Sequence, residues 1–339
     1  MRNYKTDVAI IGAGPVGLFA VFECGMMKMD CHVIDALSEV GGQCTALYPE
    51  KPIYDIPAHP EILAGDLIKN LEKQIAPFNP TYHLGQNVVA ITPTEDNRWD
   101  IMTSGNVKIN AKAIIIAAGV GAFGPNRPPL DGIEAFESKS VFYFVKSREQ
   151  FRDKKIVIAG GGDSAIDWAL SLSELAKKVY VVHRRPKFRA APDSVEKLEN
   201  LAKNGNVVEM VIPYQLSGLK GQDGQLEQVM VKTLKGEEKA LDADTLLPFF
   251  GLSMNLGPIS EWGLSLDNSH IKVKPTTNET SAAGVFAIGD VATYENKQKL
   301  ILTGFAEAAA AAHKIRQMVY PDEVFHFEYS TTKGVPGSK

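Results

Sequence analysis

The stretch DKKIVIAGGGDSAIDW, residues 153–168, reads as an apolar strand, a glycine turn and the opening of a helix. The chain has already opened one such unit near its start, with TDVAIIGAGPVGLFAVFE at residues 6–23. In the first turn Gly12, Gly14 and Gly17 fit GxGxxG, with Pro15 opening the helix. In the second, Gly160 and Gly162 hold the first two places and Ala165 the third, with Asp163 and Ser164 opening the helix. One glycine turn is weak evidence. Two of them, each between an apolar strand and a helix, are strong evidence for paired dinucleotide-binding units. The glycines permit the tight turn and close approach of backbone to a pyrophosphate, and the helix N-terminus offers it free N–H groups.

Working outward, strand and helix patterns alternate: DVAII, a helix from Pro15, CHVIDA, then GDLIKNLEKQIAPF with Leu67, Leu71 and Ile75 on one stripe. Strands follow in NVVAITPT, RWDIMTS and NVKINA, and the wholly apolar KAIIIAAG reads as a central strand buried on both faces. GAFGPNRPPLDG is a Gly- and Pro-rich crossing. The second rhythm runs from Lys155 through KKVYVVHRR to TLLPFFG, after which GVFAIGDV and TGFAEAAAAAHKIRQMV return to strand and helix. The expected fold is therefore α/β: two Rossmann-like, three-layer nucleotide-binding domains, one inserted in the other. The outer domain takes residues 1–118 and 251–339, with a tail at 320–339, and the inserted domain takes 119–250.

Composition agrees with a soluble globular protein and argues against other classes. The 339 residues are 45% apolar and 22% charged with net charge −4, which points to no nucleic-acid partner. No apolar run approaches a membrane span, and the opening from Val8 to Phe22 is interrupted by GAGPVG, unlike a signal peptide. Cys24, Cys31 and Cys44 form neither CxxC nor a metal-ligand spacing, so no metal is expected and a reduced cytoplasmic setting is the plain reading.

The two units differ at one matched point. Asp35 stands 18 residues after Gly17, and His183 stands 18 residues after Ala165, followed by Arg184 and Arg185. A carboxylate there accepts hydrogen bonds from a ribose 2′-OH and repels a phosphate, which suits FAD or NAD. Guanidinium groups attract a 2′-phosphate, and Arg189 in FRA adds a third. Each charge-assisted bond is worth about 1.5–3 kcal/mol, so two favour NADP(H) over NAD(H) by about a hundredfold or more. Two units are therefore expected to bind two different adenine dinucleotides, a hydride donor and a hydride acceptor.

Further residues point to a flavin. Gly289 and Asp290 end an apolar strand, and a buried aspartate there would be satisfied by ribityl hydroxyls, although alone it reads equally as a helix cap. Thr303 is expected to N-cap the Ala-rich helix. Gly42 and Gln43 in GGQ allow close backbone approach with a donor and an acceptor, and Tyr48 reads as a core aromatic or a flavin-stacking one.

Together GAGPVG, GGQ, YPEKPIYDI, AAGVGAFGP, GGGDSAIDW, HRRPKFRA, GVFAIGD and the C-terminal tail resemble the thioredoxin-reductase-like flavoproteins, in particular the ferredoxin/flavodoxin–NADP reductase branch. Where thioredoxin reductases carry a redox CxxC, this chain has Tyr143 to Lys146 and no cysteine, so a disulfide substrate is not expected. The resemblance implies that FAD meets Asp35, Gln43 and Tyr48, the backbone of Val88, Phe123 at the crossing, and Asp290. It further implies a homodimer, with Tyr329, Ser330 and Thr331 of the tail over the other flavin face. A hydride from NADPH would reach flavin N5 and leave as single electrons to a ferredoxin or flavodoxin, the inserted domain rotating near Gly119 and Gly251. No proton-transferring catalytic residue is assigned. The alternatives are an NADPH oxidase or reductase of another small carrier, a thioredoxin-reductase-like enzyme without the usual thiols, and a flavin sensor without turnover.

Overall fold

The computed structural model describes residues 2–205, 207–323, 334 and 335, with backbone alone at 122–125 and 252–254. It divides into two compact units, 1–123 with 254–339 and 124–253. These limits fall a few residues past 118 and 250, because the bridge between Gly121 and Asn255 belongs to the first unit. The bond from Asn126 N–H to Gly251 C=O at 3.0 Å belongs to the second.

The first unit opens with strand β1 (Arg2–Ile11), helix α1 (Pro15–Met26) and strand β2 (Cys31–Ile34). Helix α2 (Ala64–Ile75) buries Leu67, Ile68, Leu71 and Ile75, the stripe that its spacing dictates. Strands β3 (Thr81–His83), β4 (Val88–Pro93), β5 (Trp99–Thr103) and β6 (Val107–Ile116) follow. The sheet order is β3-β2-β1-β6-β5-β4, parallel through β3, β2, β1 and β6, and antiparallel beyond.

NVKINA and KAIIIA thus form one strand rather than two. Burial explains why they look different. The first half of β6 alternates between buried and half-buried residues, whereas Ala113 to Ile116 are wholly buried. Val8, Ile10, Val33 and Ile115 point to the helices, packing on Leu18, Leu67 and Ala308. Ala9, Ile11, Ile114 and Ile116 face the opposite layer, with Ile101, Ile109, Leu256 and Leu264. Each fully buried aliphatic side chain contributes about 1.5–3 kcal/mol, so a central strand covered on both faces anchors the unit.

The second unit repeats the plan with β7 (Lys155–Ala159), α3 (Asp163–Ser173), β8 (Lys178–Val182), α4 (Pro192–Asn204) and β9 (Val208–Val211). An antiparallel sheet follows, β10 (Gln215–Gln222), β11 (Gln225–Lys232) and β12 (Glu238–Asp242), and then β13 (Thr245–Pro248). The parallel order is β9-β8-β7-β13. Val229, Val231 and Leu241 of the antiparallel sheet pack on Val157, Val182 and Leu246 of the parallel one. Helices, parallel sheet and antiparallel sheet make the three layers, as the α/β class predicts.

The chain then completes the first unit with β14 (Val285–Ala287), parallel to β6, and helix α5 (Ile301–Val319). Thr303 is not the N-cap. Leu300 holds that place in an extended conformation with no side-chain cap, and Gly304 N–H bonds Leu300 C=O at 3.1 Å, so Thr303 lies inside the first turn. No described helix is long and apolar enough to cross a membrane.

Candidate functional sites: two glycine turns with opposite charge

In the first unit the chain turns sharply out of β1. Gly12 has φ +113°, and a Cβ there would meet the Ala117 carbonyl oxygen at 2.3 Å. A Cβ at Gly17 would meet the Gly12 carbonyl oxygen at 1.9 Å, so this glycine brings the helix against the turn. Gly14 is different: a Cβ would meet nothing within 4 Å. Gly14 precedes Pro15 at the head of α1, where no side chain caps the helix and no acid sits in its first turn. That combination leaves an open approach to a positive helix end.

Asp35 closes the turn. Its Oδ2 accepts from Ala13 N–H at 2.6 Å and its Oδ1 from Leu37 N–H at 2.8 Å. Burial pushes its carboxyl pKa up, opposed by these two bonds. Gln86 N–H bonds Asp35 C=O at 3.0 Å, so the segment entering β4 at Val88 starts beside this acid. Val88 itself is buried and pairs with Thr103.

The GGQ segment meets the same loop. Gly41 N–H bonds Ala13 C=O at 2.8 Å, and a Cβ at Gly42 would lie 3.1 Å from Gly14 Cα. Gln43 opens a short helical turn, Gln43–Ala46, and its Nε2 approaches Gly119. Tyr48 is hydrogen-bonded to the Cys44 thiol, and the charge of Asp290 acts on both. Burial pushes the Cys44 thiol up to about 11 and drives the Tyr48 hydroxyl higher still. Gly12, Gly14, Asp35, Gly42, Gln43, Tyr48 and Asp290 are thereby linked into one region of the unit.

Asp290 lies in the short turn Gly289–Val291 after β14, half-buried. Among the described residues neither its carboxylate nor the Gln43 amide has a hydrogen-bond partner. Half-buried polar groups without partners, beside a glycine cradle with space over Gly14, fit the hydroxyl-rich chain and pyrophosphate of FAD. The Phe123 side chain and all of Tyr329, Ser330 and Thr331 lie outside the described residues.

Sequence reading passed over the residues behind Asp290. Glu307 on α5 is buried, and its Oε2 accepts from Gly289 N–H at 2.7 Å. Its Oε1 accepts from Tyr294 Oη at 2.7 Å and also meets Lys297 Nζ. The available signal was a single acid within an alanine run.

The second unit carries a cavity of about 490 Å³. Gly160, His183, Arg184, Arg185 and Arg189 line it, with Tyr214 and Phe249 supplying apolar wall. Gly162 heads α3 with space for a Cβ, as Gly14 does for α1. The His183 ring stacks on Phe188 at 4.9 Å and lies over Gly161, where a Cβ would meet ring atom Cε1 at 2.2 Å. Burial and the nearby guanidinium groups lower its pKa, against a hydrogen bond with Lys187 C=O. Among the described residues no carboxylate pairs with Arg184, Arg185 or Arg189. Three uncompensated cations at one rim fit a dianionic phosphate.

Asp163, at the N-terminus of α3, accepts at its Oδ1 from Ala191 N–H at 2.9 Å, and Ser164 beside it is exposed. The Asp163 charge thus supports the loop after FRA instead of facing solvent alone. Cys24, Cys31 and Cys44 are all buried, and Cys31 is pushed well up by the hydrogen-bonded Cys24 thiol and by burial.

The profile of the family described as pyridine nucleotide-disulphide oxidoreductase matches residues 6–314. The chain belongs to that family. Its relatives within this oxidoreductase family include a ferredoxin–NADP reductase of Paramagnetospirillum magneticum, 61% identical over 99% of both chains. Another, from Rhodospirillum rubrum, is 60% identical over 98% of this chain and 97% of that protein. Among solved structures, the fold is shared with Lactococcus lactis thioredoxin reductase, at TM-score 0.80 and 24% identity, over 93% of this chain and 99% of that one. As an oxidoreductase of pyridine nucleotides, the chain has a use for a cationic rim beside a glycine turn.

Proposed function

We propose that the chain is a flavoprotein that moves electrons between NADPH and a ferredoxin or flavodoxin through FAD. The observation that carries this reading is the opposite chemistry at matched points: Asp35 bonded into the first glycine turn, and His183, Arg184 and Arg185 at the second. Full-length relatives at about 60% identity named ferredoxin–NADP reductase support it.

In this reading Gly12, Gly14, Pro15 and Gly17 receive the FAD pyrophosphate, Asp35 its ribose, and Asp290 the ribityl hydroxyls. Gly42, Gln43, Tyr48, Val88, Phe123 and Gly289 complete that site. Gly160, Gly162, Asp163 and Ser164 form the NADPH pyrophosphate loop, while Arg184, Arg185 and Arg189 take the 2′-phosphate and His183 orders the rim. The chemistry that FAD supplies when bound is the exchange of a two-electron hydride for single electrons. The chain's own contribution is binding and alignment, so no side chain is given a proton-transfer role. The domain division of FAD and NADPH between the units, a homodimer with Tyr329, Ser330 and Thr331 at the partner's flavin, and a cytoplasmic location belong to the same proposal.

Anaerobic titration of the purified protein with NADPH is the test. A yellow protein that bleaches and regains colour on adding ferredoxin supports the reading. A chain unable to retain FAD sinks it, and bleaching with recovery only by oxygen or a quinone makes it an oxidase or a reductase of another acceptor.

A further inference from the structure

Lys297 and Glu307 form an ion pair whose two side chains are each only 5% exposed. Such a pair is an unpromising source of stability, because desolvation consumes most of the attraction and an apolar pair would do as well. Its value lies in what it positions. Glu307 spends its second oxygen on Gly289 N–H, at 2.7 Å. Gly289 has φ +73°, a conformation that glycine adopts freely, so the turn needs an external tie to fix the residue that follows it. That residue is Asp290.

The rest of the local packing points the same way. Gly304 stands three residues before Glu307 on α5, on the same face of the helix. A Cβ at Gly304 would strike Val16 Cγ2 at 2.3 Å, and one at Gly289 would lie 3.4 Å from Val16 Cγ1. Val16 belongs to the first turn of α1, directly after Pro15. One face of α5 therefore grips both halves of the candidate flavin site, the glycine turn through Gly304 and the Asp290 turn through Glu307. Tyr294 adds a third support: its hydroxyl donates to Glu307, and Lys297 Nζ lies 5.2 Å from its ring centre.

We propose that Glu307, with Lys297 and Tyr294 as its supports, is the positioning residue of the flavin site, holding the Gly289–Asp290 turn so that Asp290 faces the ribityl chain of FAD. Glu307 does not touch the cofactor and acts through Asp290. This rests on the FAD reading of the first unit, and the test separates the two.

FAD is titrated into full-length apoprotein of the wild type, Glu307→Gln, Asp290→Asn and the double variant. Far-UV circular dichroism and NADP⁺ binding in the second unit serve as folding controls. Glu307→Gln is expected to raise the FAD dissociation constant about tenfold. In the Asp290→Asn background the same change costs less than about twofold, because its route to the ligand is already gone. An equal loss in both backgrounds, or no loss in folded Glu307→Gln, overturns the proposal. Where Glu307→Gln does not fold, Tyr294→Phe takes its place, with about a threefold loss that vanishes beside Asp290→Asn. Persistence of the loss there, or its absence in the wild-type background, is equally fatal. A wild-type chain that binds no FAD fails the functional reading first, whereas binding that ignores residues 294 and 307 fails this inference alone.

Discussion

Asp35 at the end of β2 is bonded directly to the glycine turn at the end of β1, its Oδ2 accepting from Ala13 N–H at 2.6 Å. His183, at the equivalent point of the second unit, covers its own turn with a ring that fills the space over Gly161. In each unit the residue at this matched point braces the glycine loop beside it. Under the proposed assignment recognition and loop shape are coupled, and a substitution at either position is expected to move both.

The three glycines of the first turn carry separable duties. Gly14→Ala puts a methyl into open space, so the apoprotein should keep its melting temperature to within about 2 °C while losing at least about tenfold in FAD affinity. Gly17→Ala drives a methyl into the Gly12 carbonyl and should destabilise the chain itself, by about 2 kcal/mol or more. Thermal unfolding beside FAD titration distinguishes them. Equal destabilisation by both variants would contradict the division of labour.

Coenzyme choice should reside in the guanidinium rim. Arg184→Ala and Arg185→Ala are each expected to raise the KM for NADPH by about 10- to 100-fold and to change that for NADH by no more than about twofold. The NADPH effect should shrink in high salt, because the rim is exposed. Parallel kinetics with both coenzymes check this, and equal losses would remove the 2′-phosphate assignment.

A pair of histidines in the first unit predicts an acid-sensitive step in stability. His32 Nδ1 and His83 Nε2 lie 2.9 Å apart, with the Tyr4 ring about 5 Å from each. Burial, and then the His83 charge, lowers the His32 pKa from 6.5 to about 4, and burial also lowers His83. The unfolded chain takes up these protons near 6.5 and the folded one resists. Stability is thus intact above pH 6.5 and declines between 6.5 and 4, by up to about 3 kcal/mol for His32. Melting curves across that range should fall less steeply for His32→Asn than for the wild type. Identical slopes would rule the pair out as the cause.

The thiols should be silent. With Cys24, Cys31 and Cys44 buried and Cys44 protonated up to about 11, the folded protein should resist iodoacetamide at pH 8, as read by intact mass. Replacement of all three by alanine should leave electron transfer to the carrier intact. Loss of that transfer in a folded variant would bring thiol chemistry back.

Much of this was legible because its signals are local. An apolar run and three spaced glycines specify strand, turn and helix within about twenty residues, and the stripe of α2 specifies its buried face. The β10–β11 hairpin was equally readable and was passed over. Asp223 and Gly224, with φ +53° and +80°, supply a hairpin turn, and Leu226, Val229 and Val231 supply its buried face. Thr303 misled because a good capping residue sits near the start of a helix that begins two residues earlier. Glu307 was hidden for a different reason. Its partners Gly289, Tyr294 and Lys297 are 10 to 18 residues away in sequence, and only the return of α5 against the Asp290 turn brings them to one carboxylate.

Val16 occupies the room that a Cβ at Gly304 would need, so these two sites form a volume lock across 288 positions of chain. A family member with a side chain at the later site must trim the earlier one. The pair should therefore drift together through descent, bulk on one side matched by smallness on the other.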